Sequence, residues 1–363
     1  MRRIAELDGL RGIAAMLIVA YHLFMEYLPG CWAAVDVFFV LSGFLITGIV
    51  LQHGLSARFL TAFYLRRGLR IWPIYYMVIA ILLLCRLGNT GALPYYLTYT
   101  QHLPWYWGSE MPAWPLMQHT WTLALEEQFY IIWPALVLLT GRRISGILAL
   151  GLVGAAVLAR FAGVNWWLLA GRCDGFALGG LLAVILTDPR AETGRKRAMT
   201  WGIGLGTLAM LLVALMAATG RLFDVGGPIT MGVRTTVASL GSFALVAFLI
   251  CHTCHPLFAL LRSRPLVYLG TISYGIYLYH HPIVQSSQLL SNLIGVSPGP
   301  ALYAIECVLT LGVAAISWHL VERPILRLKD RIAYQSETDT RAGQPATMPG
   351  LYASQALGTS AAS

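Results

Sequence analysis

The sequence is short of charge. Only 11% of its 363 residues are Asp, Glu, Lys or Arg, against 57% hydrophobic, whereas soluble globular domains carry about a quarter charged residues. A chain of this length with so little charge cannot cover itself with a water-wetted surface, and its mean hydropathy of +0.67 agrees. A soluble globular protein is excluded, and the solvent for most of the surface is lipid. Acidic residues are scarcer still, 16 against 25 basic ones, which leaves a formal net charge of +9. That balance would suit a nucleic acid if the basic residues ran along one polar face. They sit instead in short clusters between apolar runs, as in the cytoplasmic loops of membrane proteins, so no nucleic-acid partner is expected. A disulfide framework is lacking too. Most of the six cysteines lie in or beside apolar stretches, unlike those of a small secreted scaffold. The stretch CHTCH, Cys251 to His255, has CxxC spacing and two histidines that could hold a metal. With no second ligand pair elsewhere, a helix-end loop is the better reading and no metal is expected.

What the chain does have is long apolar runs. A helix needs about 20 mostly apolar residues to cross a bilayer, and ten such runs occur, near 10–28, 33–51, 71–87, 121–140, 144–160, 167–186, 201–219, 229–250, 266–288 and 301–321. The expected fold is all-α, a polytopic membrane bundle of about ten transmembrane helices. Basic clusters recur at alternate connections: Arg2, Arg3 and Arg11; Arg58 to Arg70; Arg142 and Arg143; Arg190 to Arg197; Arg262 and Arg264; and Arg323 to Arg331. This alternation places both termini in the cytoplasm. The basic start and apolar stretch of MRRIAELDGLRGIAAMLIVA are shared with signal peptides. A second apolar run follows closely and proline spoils LPGC as a cleavage site, so the segment reads as an uncleaved first span. Residues 88–120 form an outer loop rich in aromatics and proline. The domain reading is one transmembrane domain over 1–332 and a polar, disordered cytoplasmic tail over 333–363.

Ionisable groups inside a membrane are costly and mark functional sites. In LDGLRGIAAMLIVAYH, Arg11 and His22 are eleven residues apart. Three helical turns plus about 20° puts them on one face, about 16 Å apart along the axis, with Asp8 near that face. Alone, such a pair also suits an interfacial anchor and a hydrogen-bonded histidine. In VDVFFVLSGFLI, Asp36 lies at the outer end of the second run, within reach of His22, and a carboxylate can set a histidine's tautomer. Ser42-Gly43 lets helices approach closely. FYLRRGLRIWPIYY gathers Arg66, Arg67 and Arg70, with Arg67 and Arg70 on one face, able to grip phosphates or to anchor topology. In WTLALEEQFY, Glu126 and Glu127 point about 100° apart, so one faces a site and the other a different partner. RCDGFALGG adds Arg172 and Asp174, and ISYGIYLYHHP adds Tyr274, Tyr277, His280 and His281, with Tyr277 and His280 on one face. Trp105, Trp107, Trp114 and Trp121 flank the outer loop. Such rings suit sugars or form an ordinary interfacial belt.

These blocks, with VERP after them, occur in the order shown by the acyltransferase-3 family of integral membrane acyltransferases, which the chain resembles from about residue 4 to 325. Thr122 and Ala124 stand where serines are common, and Tyr279 where tryptophan is. The resemblance implies a helical membrane bundle of about ten spans in the bacterial cytoplasmic (inner) membrane. It also implies transfer of an acyl group, usually acetyl from acetyl-CoA, to hydroxyls of an extracytoplasmic glycan. The family's arginine–ten residues–histidine signature falls on Arg11 and His22, and its RxxR signature on Arg67 and Arg70. In length the chain resembles the exopolysaccharide acetyltransferases, without the additional esterase-like domain of some relatives. Joined to the geometry, this assigns the donor's phosphates to Arg11, Arg67 and Arg70. His22 becomes general base or acyl acceptor, oriented by Asp36, with Glu127 and His280 in the same cavity. Tyr277, His280, Trp121, Arg172 and Asp174 fall to the acceptor side. The rivals are a transporter or flippase for a glycan or anionic cargo, for which no inverted repeat is visible, and a non-catalytic partner in a polysaccharide assembly complex.

Overall fold

The structure, a computed structural model, describes residues 4–25, 27–53, 57–106, 114–187, 191–218, 228–252, 255–294, 299–329 and 332. Among these it is 87% helical with no strand. The expected tail and Trp107 lie outside the described residues, as does Cys254 of CHTCH.

The long helices overlap the apolar runs. They are α1 Ala5–Leu23, α2 Ala34–His53 and α3 Ala57–Leu84. The short α4 Leu93–Leu97 and α5 Leu103–Tyr106 lie in the next connection. Then come α6 Trp121–Phe161, α7 Asp174–Leu186, α8 Ala191–Ala218 and α9 Pro228–Cys251. The chain continues as α10 Arg264–Thr271, α11 Ser273–Ile294, α12 Pro300–Ser317 and α13 Arg323–Lys329. Helices α3 and α8 start 14 and 10 residues before the runs near 71–87 and 201–219 and carry the basic clusters on their first turns. Six segments of the described residues are long and apolar enough to cross a membrane, so the bundle is polytopic while the figure of ten is not reached on that criterion.

Three departures have physical reasons. The fourth and fifth runs form one element, broken at Gly141 (φ 69°, ψ 176°), a left-handed backbone that glycine adopts without steric cost. The sixth run is α-helical only over α7, after a 3-10 turn at Leu169–Gly171, and the 13 residues of α7 reach about 20 Å, less than the roughly 30 Å hydrocarbon core. The ninth run is interrupted at Ile272, outside helical geometry, where the Ser273 hydroxyl donates to the Gly270 carbonyl at 2.9 Å. Helix α11 then carries Pro282 two residues past its first histidine.

Packing is inverted relative to a soluble protein. Leu84, Leu139, Met210 and Leu320 are at least 72% exposed, whereas Asp36, Arg160 and Arg172 are at most 1% exposed. Lipid accepts the leucines, and the charges need protein partners. Helices α2 and α7 touch backbone to backbone: a Cβ on Gly43 would lie 1.9 Å from the Phe176 carbonyl oxygen, and one on Gly179 2.0 Å from that of Val40. Beside this contact Phe39, Phe176 and Phe129 stack at 4.3 and 4.6 Å between ring centroids. This rigid α2–α6–α7 core holds one wall of the cavity described next.

Candidate active site

A cavity of about 560 Å³ opens among α1, α2, α3, α6, α10 and α11. Its lining carries Asp8, Arg11, Arg66, Arg67, Arg70 and Glu322 together with Ser42, Glu126 and Tyr130; along α1 it extends two turns past Arg11 to Ile18, and Val35, Thr122 and Tyr277 line it as well. Arg67 lies over the Tyr130 ring at 4.6 Å and Arg11 over Phe38 at 5.9 Å. The sequence explains the arginine placement. Arg67 and Arg70 are one turn apart on α3, and Arg11 is two turns into α1. Among the described residues, neither Arg11, Arg67 nor Arg70 forms an ion pair within 4 Å. Like charges crowded in low dielectric repel strongly, so an anion entering beside them would relieve that repulsion.

The carboxylate that faces this volume is Glu126. Its Oε1 accepts from the Ser42 hydroxyl at 3.3 Å and its Oε2 from Tyr130 at 3.0 Å, and the Ser42 and Tyr130 oxygens lie 2.9 Å apart. Glu127 instead accepts from the Trp72 indole at 3.0 Å and does not line the cavity. The expectation that adjacent glutamates part company holds, but the residue assigned to the cavity is the wrong one of the two. Helical phase supplies their 100° separation and leaves open which faces inward. Ser42, read as a packing residue, also holds the cavity carboxylate.

Beyond Ile18 lies a cluster of four histidines. His22 is one turn beyond Ile18 on α1, and its Nδ1 meets both the Ile18 carbonyl at 2.9 Å and His280 Nε2 at 3.2 Å. His280 Nδ1 meets the Tyr277 carbonyl at 2.6 Å. A carbonyl only accepts, so each Nδ1 carries hydrogen. The neutral His280 therefore presents an acceptor at Nε2, and the neutral His22 keeps its lone pair on Nε2. Among the described residues that nitrogen makes no hydrogen bond. His281 and His119 complete the cluster: His281 lies 5.1 Å from His22, and His119 5.1 Å from His280 and 4.8 Å from His281 between centroids. Tyr277 ties the cluster to the cavity. Its hydroxyl donates to the His119 carbonyl at 2.5 Å and contacts the Thr122 hydroxyl at 2.6 Å.

Asp36 does not reach His22. Its Oδ2 accepts from Arg172 at 2.7 Å and its Oδ1 from Ser239 at 2.8 Å. The orienting partner of His22 is His280, because Asp36 is already committed to a guanidinium in a dry interior. Arg172 and Asp174, expected beside the acceptor, are locked in protein. Arg172 is bound to Asp36, and Asp174 to Arg160 at 2.9 Å. Arg160 also donates to the Gly171 carbonyl and to Thr236. Half-buried Trp121 meets Trp166 edge-on at 5.2 Å. Sequence reasoning passed over His119, which sits in a 3-10 turn, Pro115–Thr120, outside any periodic run. Its one signal was proximity to the glutamate block. Among the described residues no group of three or more His, Cys, Asp or Glu side chains has metal-binding geometry.

Residues 4–319 match the family model of the acyltransferase domain of acyltransferase-3 type. Over 353 residues the chain is 28% identical to the peptidoglycan O-acetyltransferase OatA of Listeria monocytogenes serovar 1/2a (strain EGD-e), covering 89% of the chain and 56% of that protein. It is 29% identical over 363 residues to the O-acetyltransferase OatA of Staphylococcus aureus (strain NCTC 8325), with coverage of 89% and 57%. Identity to YrhL of Bacillus subtilis (strain 168) is 29% over 368 residues, with coverage of 89% and 55%. The chain thus spans little more than half the length of these relatives. No solved structure matches it.

Proposed function

The chain belongs to the acyltransferase-3 family, and from that premise and the cavity geometry we propose a membrane O-acetyltransferase that takes acetyl from cytoplasmic acetyl-CoA and delivers it to hydroxyls of an extracytoplasmic glycan. The observation that carries this reading is the arrangement along α1: arginines around a cavity at one end, and at the other a histidine whose free nitrogen is defined by its neighbours. The names of the relatives put cell-wall glycan beside exopolysaccharide as acceptor.

The phosphates of CoA dock on Arg11, Arg67 and Arg70, where bidentate guanidinium contacts are strongest. The pantetheine arm extends along α1 through the cavity, about 16 Å from Arg11 to the level of His22. There the thioester carbonyl is attacked and the thiolate leaves. The hydroxyl proton of the acceptor ends on the CoA sulfur, so the transfer balances without any other reactant. His22 Nε2 serves in one of two ways: it takes the hydroxyl proton and returns it to the thiolate, or it carries the acetyl group between donor and acceptor. His280 holds the tautomer that either role needs. Glu126 faces the arginines and balances part of their charge before the donor enters. On this reading the arginine end of the bundle is cytoplasmic, as are both termini, and the membrane is the bacterial cytoplasmic membrane.

The rival transporter would be favoured by an inverted repeat, and none is visible in the sequence. The deciding experiment compares ester-linked acetyl on surface glycan in cells carrying the wild-type chain or His22→Ala at equal membrane abundance. Loss of the esters in the variant is expected. Unchanged esters would sink the His22 mechanism, and lost glycan export with intact esters would indicate transport or assembly.

A further inference from the structure

The histidine cluster contains more hydrogen-bonding capacity than the His22–His280 pair uses. His119 and His281 are each 6% exposed and stacked at 20° between ring planes. Among the described residues neither Nδ1 nor Nε2 of His119 has a partner, and Nδ1 of His281 has none. The Leu116 backbone lies near the His281 ring, and a neutral imidazole has one N–H and one lone pair to place. His119, neutral in such surroundings, offers one N–H and one lone pair. Buried polar groups are rarely left without partners, and each exception calls for a reason.

Position indicates what the missing partner is. Tyr277 holds the His119 carbonyl on the cavity side, and His119 enters from the 3-10 turn that precedes α6, on the side away from the arginines. His119 and His281 therefore stand between the connection preceding α6 and His22. Among uncharged groups, a hydroxyl both donates to an imine nitrogen and accepts from an imidazole N–H. Two neighbouring hydroxyls of a sugar would together satisfy nitrogens of both rings.

We propose that His119 and His281 form the acceptor subsite, a stacked imidazole pair that binds neighbouring hydroxyls of a glycan and presents one of them to His22. This rests on the O-acetyl-transfer reading above and names the groups that hold its acceptor. Neither histidine exchanges a bond with the acetyl group; the pair positions the hydroxyl, and the proton and acyl group move at His22 as already balanced.

The test uses the full chain, in cells for acetyl esters on surface glycan and in lipid nanodiscs for acetyl-CoA affinity and melting temperature. His119→Phe keeps a flat ring against His281 and removes both nitrogens. The expected result is at least a tenfold fall in esters, with acetyl-CoA affinity within twofold of wild type and no fall in melting temperature. His119→Gln restores a donor and an acceptor and is expected to retain more activity than His119→Phe. Retained acetylation in His119→Phe would overturn the proposal and assign the bare nitrogens to buried water. A parallel loss of acetyl-CoA affinity would also overturn it, by placing His119 on the donor path. Should the phenylalanine variant fail to fold, His281→Asn is read by the same two measurements. Failure of the parent reading shows elsewhere, as a wild-type chain that binds no acetyl-CoA or a His22→Ala chain that still acetylates.

Discussion

At one end of this bundle Arg11, Arg67 and Arg70 face a cavity and form no ion pair among the described residues, whereas Arg160 and Arg172 are sealed in protein, each bound to a carboxylate. All five are guanidiniums within a membrane-spanning fold. In the sealed group, Asp36 and Asp174 neutralise the charge, and Ser239, Thr236 and the Gly171 carbonyl add hydrogen bonds, so the network ties α2, α6, α7 and α9 together. In the cavity group Glu126 and Glu322 line the same volume, and among the described residues neither comes within ion-pair distance of those three arginines. A buried charge completed by protein serves architecture. One held open to a cavity retains binding energy for a ligand. The two groups should therefore fail differently when mutated.

The largest effect on stability is expected in the sealed group. Arg172→Ala leaves the Asp36 carboxylate buried without its cation, and loss of one partner of such a pair costs about 3–5 kcal/mol. A steep drop in melting temperature and in membrane yield should follow. The double variant Asp36→Asn with Arg172→Met removes both charges and should be less damaging than Arg172→Ala alone. If Arg172→Ala melted like wild type, the distinction between the two groups would collapse.

In the cavity group the loss should appear in binding. Each charge-assisted hydrogen bond contributes roughly 1.5–3 kcal/mol, so Arg67→Ala or Arg70→Ala should weaken acetyl-CoA binding by about 10- to 100-fold. Melting temperature should stay level or rise, because like charges are relieved. Titration of acetyl-CoA into nanodiscs measures the first and a thermal scan the second.

The adjacent glutamates sharpen the comparison within one helix turn. Glu126→Gln weakens two hydrogen bonds at the cavity wall and removes the charge facing the arginines, and about a tenfold fall in acetylation is expected at roughly 1.4 kcal/mol. Glu127→Gln keeps an acceptor for the Trp72 indole and should change acetylation less than about threefold on the same scale. The reverse order, read from ester content per unit of membrane protein, would restore the sequence-based choice of Glu127.

That reversal illustrates what the sequence made legible. Helical phase placed Arg11 and His22 on one face, because both lie in one uninterrupted helix, and the glycine of Ser42-Gly43 marked a close helix contact. Hydropathy found the helices and even the division at Gly141, where basic residues interrupt the run. Pairings between distant elements left no local mark. Arg172 and Asp36 are 136 residues apart and meet only through the backbone contact of α2 with α7. A carboxylate near His22 was therefore credited with a role that its true partner pre-empts. His119 was invisible for a different reason: it lies in a non-periodic turn, where no face can be computed.

Two serines make similar bonds in the two groups, and the smallest expected effect falls on Ser42. Ser239 donates to Asp36 Oδ1 where both side chains are buried, so Ser239→Ala leaves a carboxylate oxygen that water cannot reach, at a cost of about 1–3 kcal/mol. Ser42 donates to Glu126 at the wall of an open cavity. There water can replace the lost hydroxyl, and Ser42→Ala should change stability by no more than about 0.5 kcal/mol. Its mark should be a modest loss of acetylation, because Glu126 keeps Tyr130 but loses one of its two fixed donors. Parallel thermal scans decide the matter: the same bond should be expensive where protein seals it and nearly free where the cavity admits solvent, and equal shifts would mean that the cavity is dry.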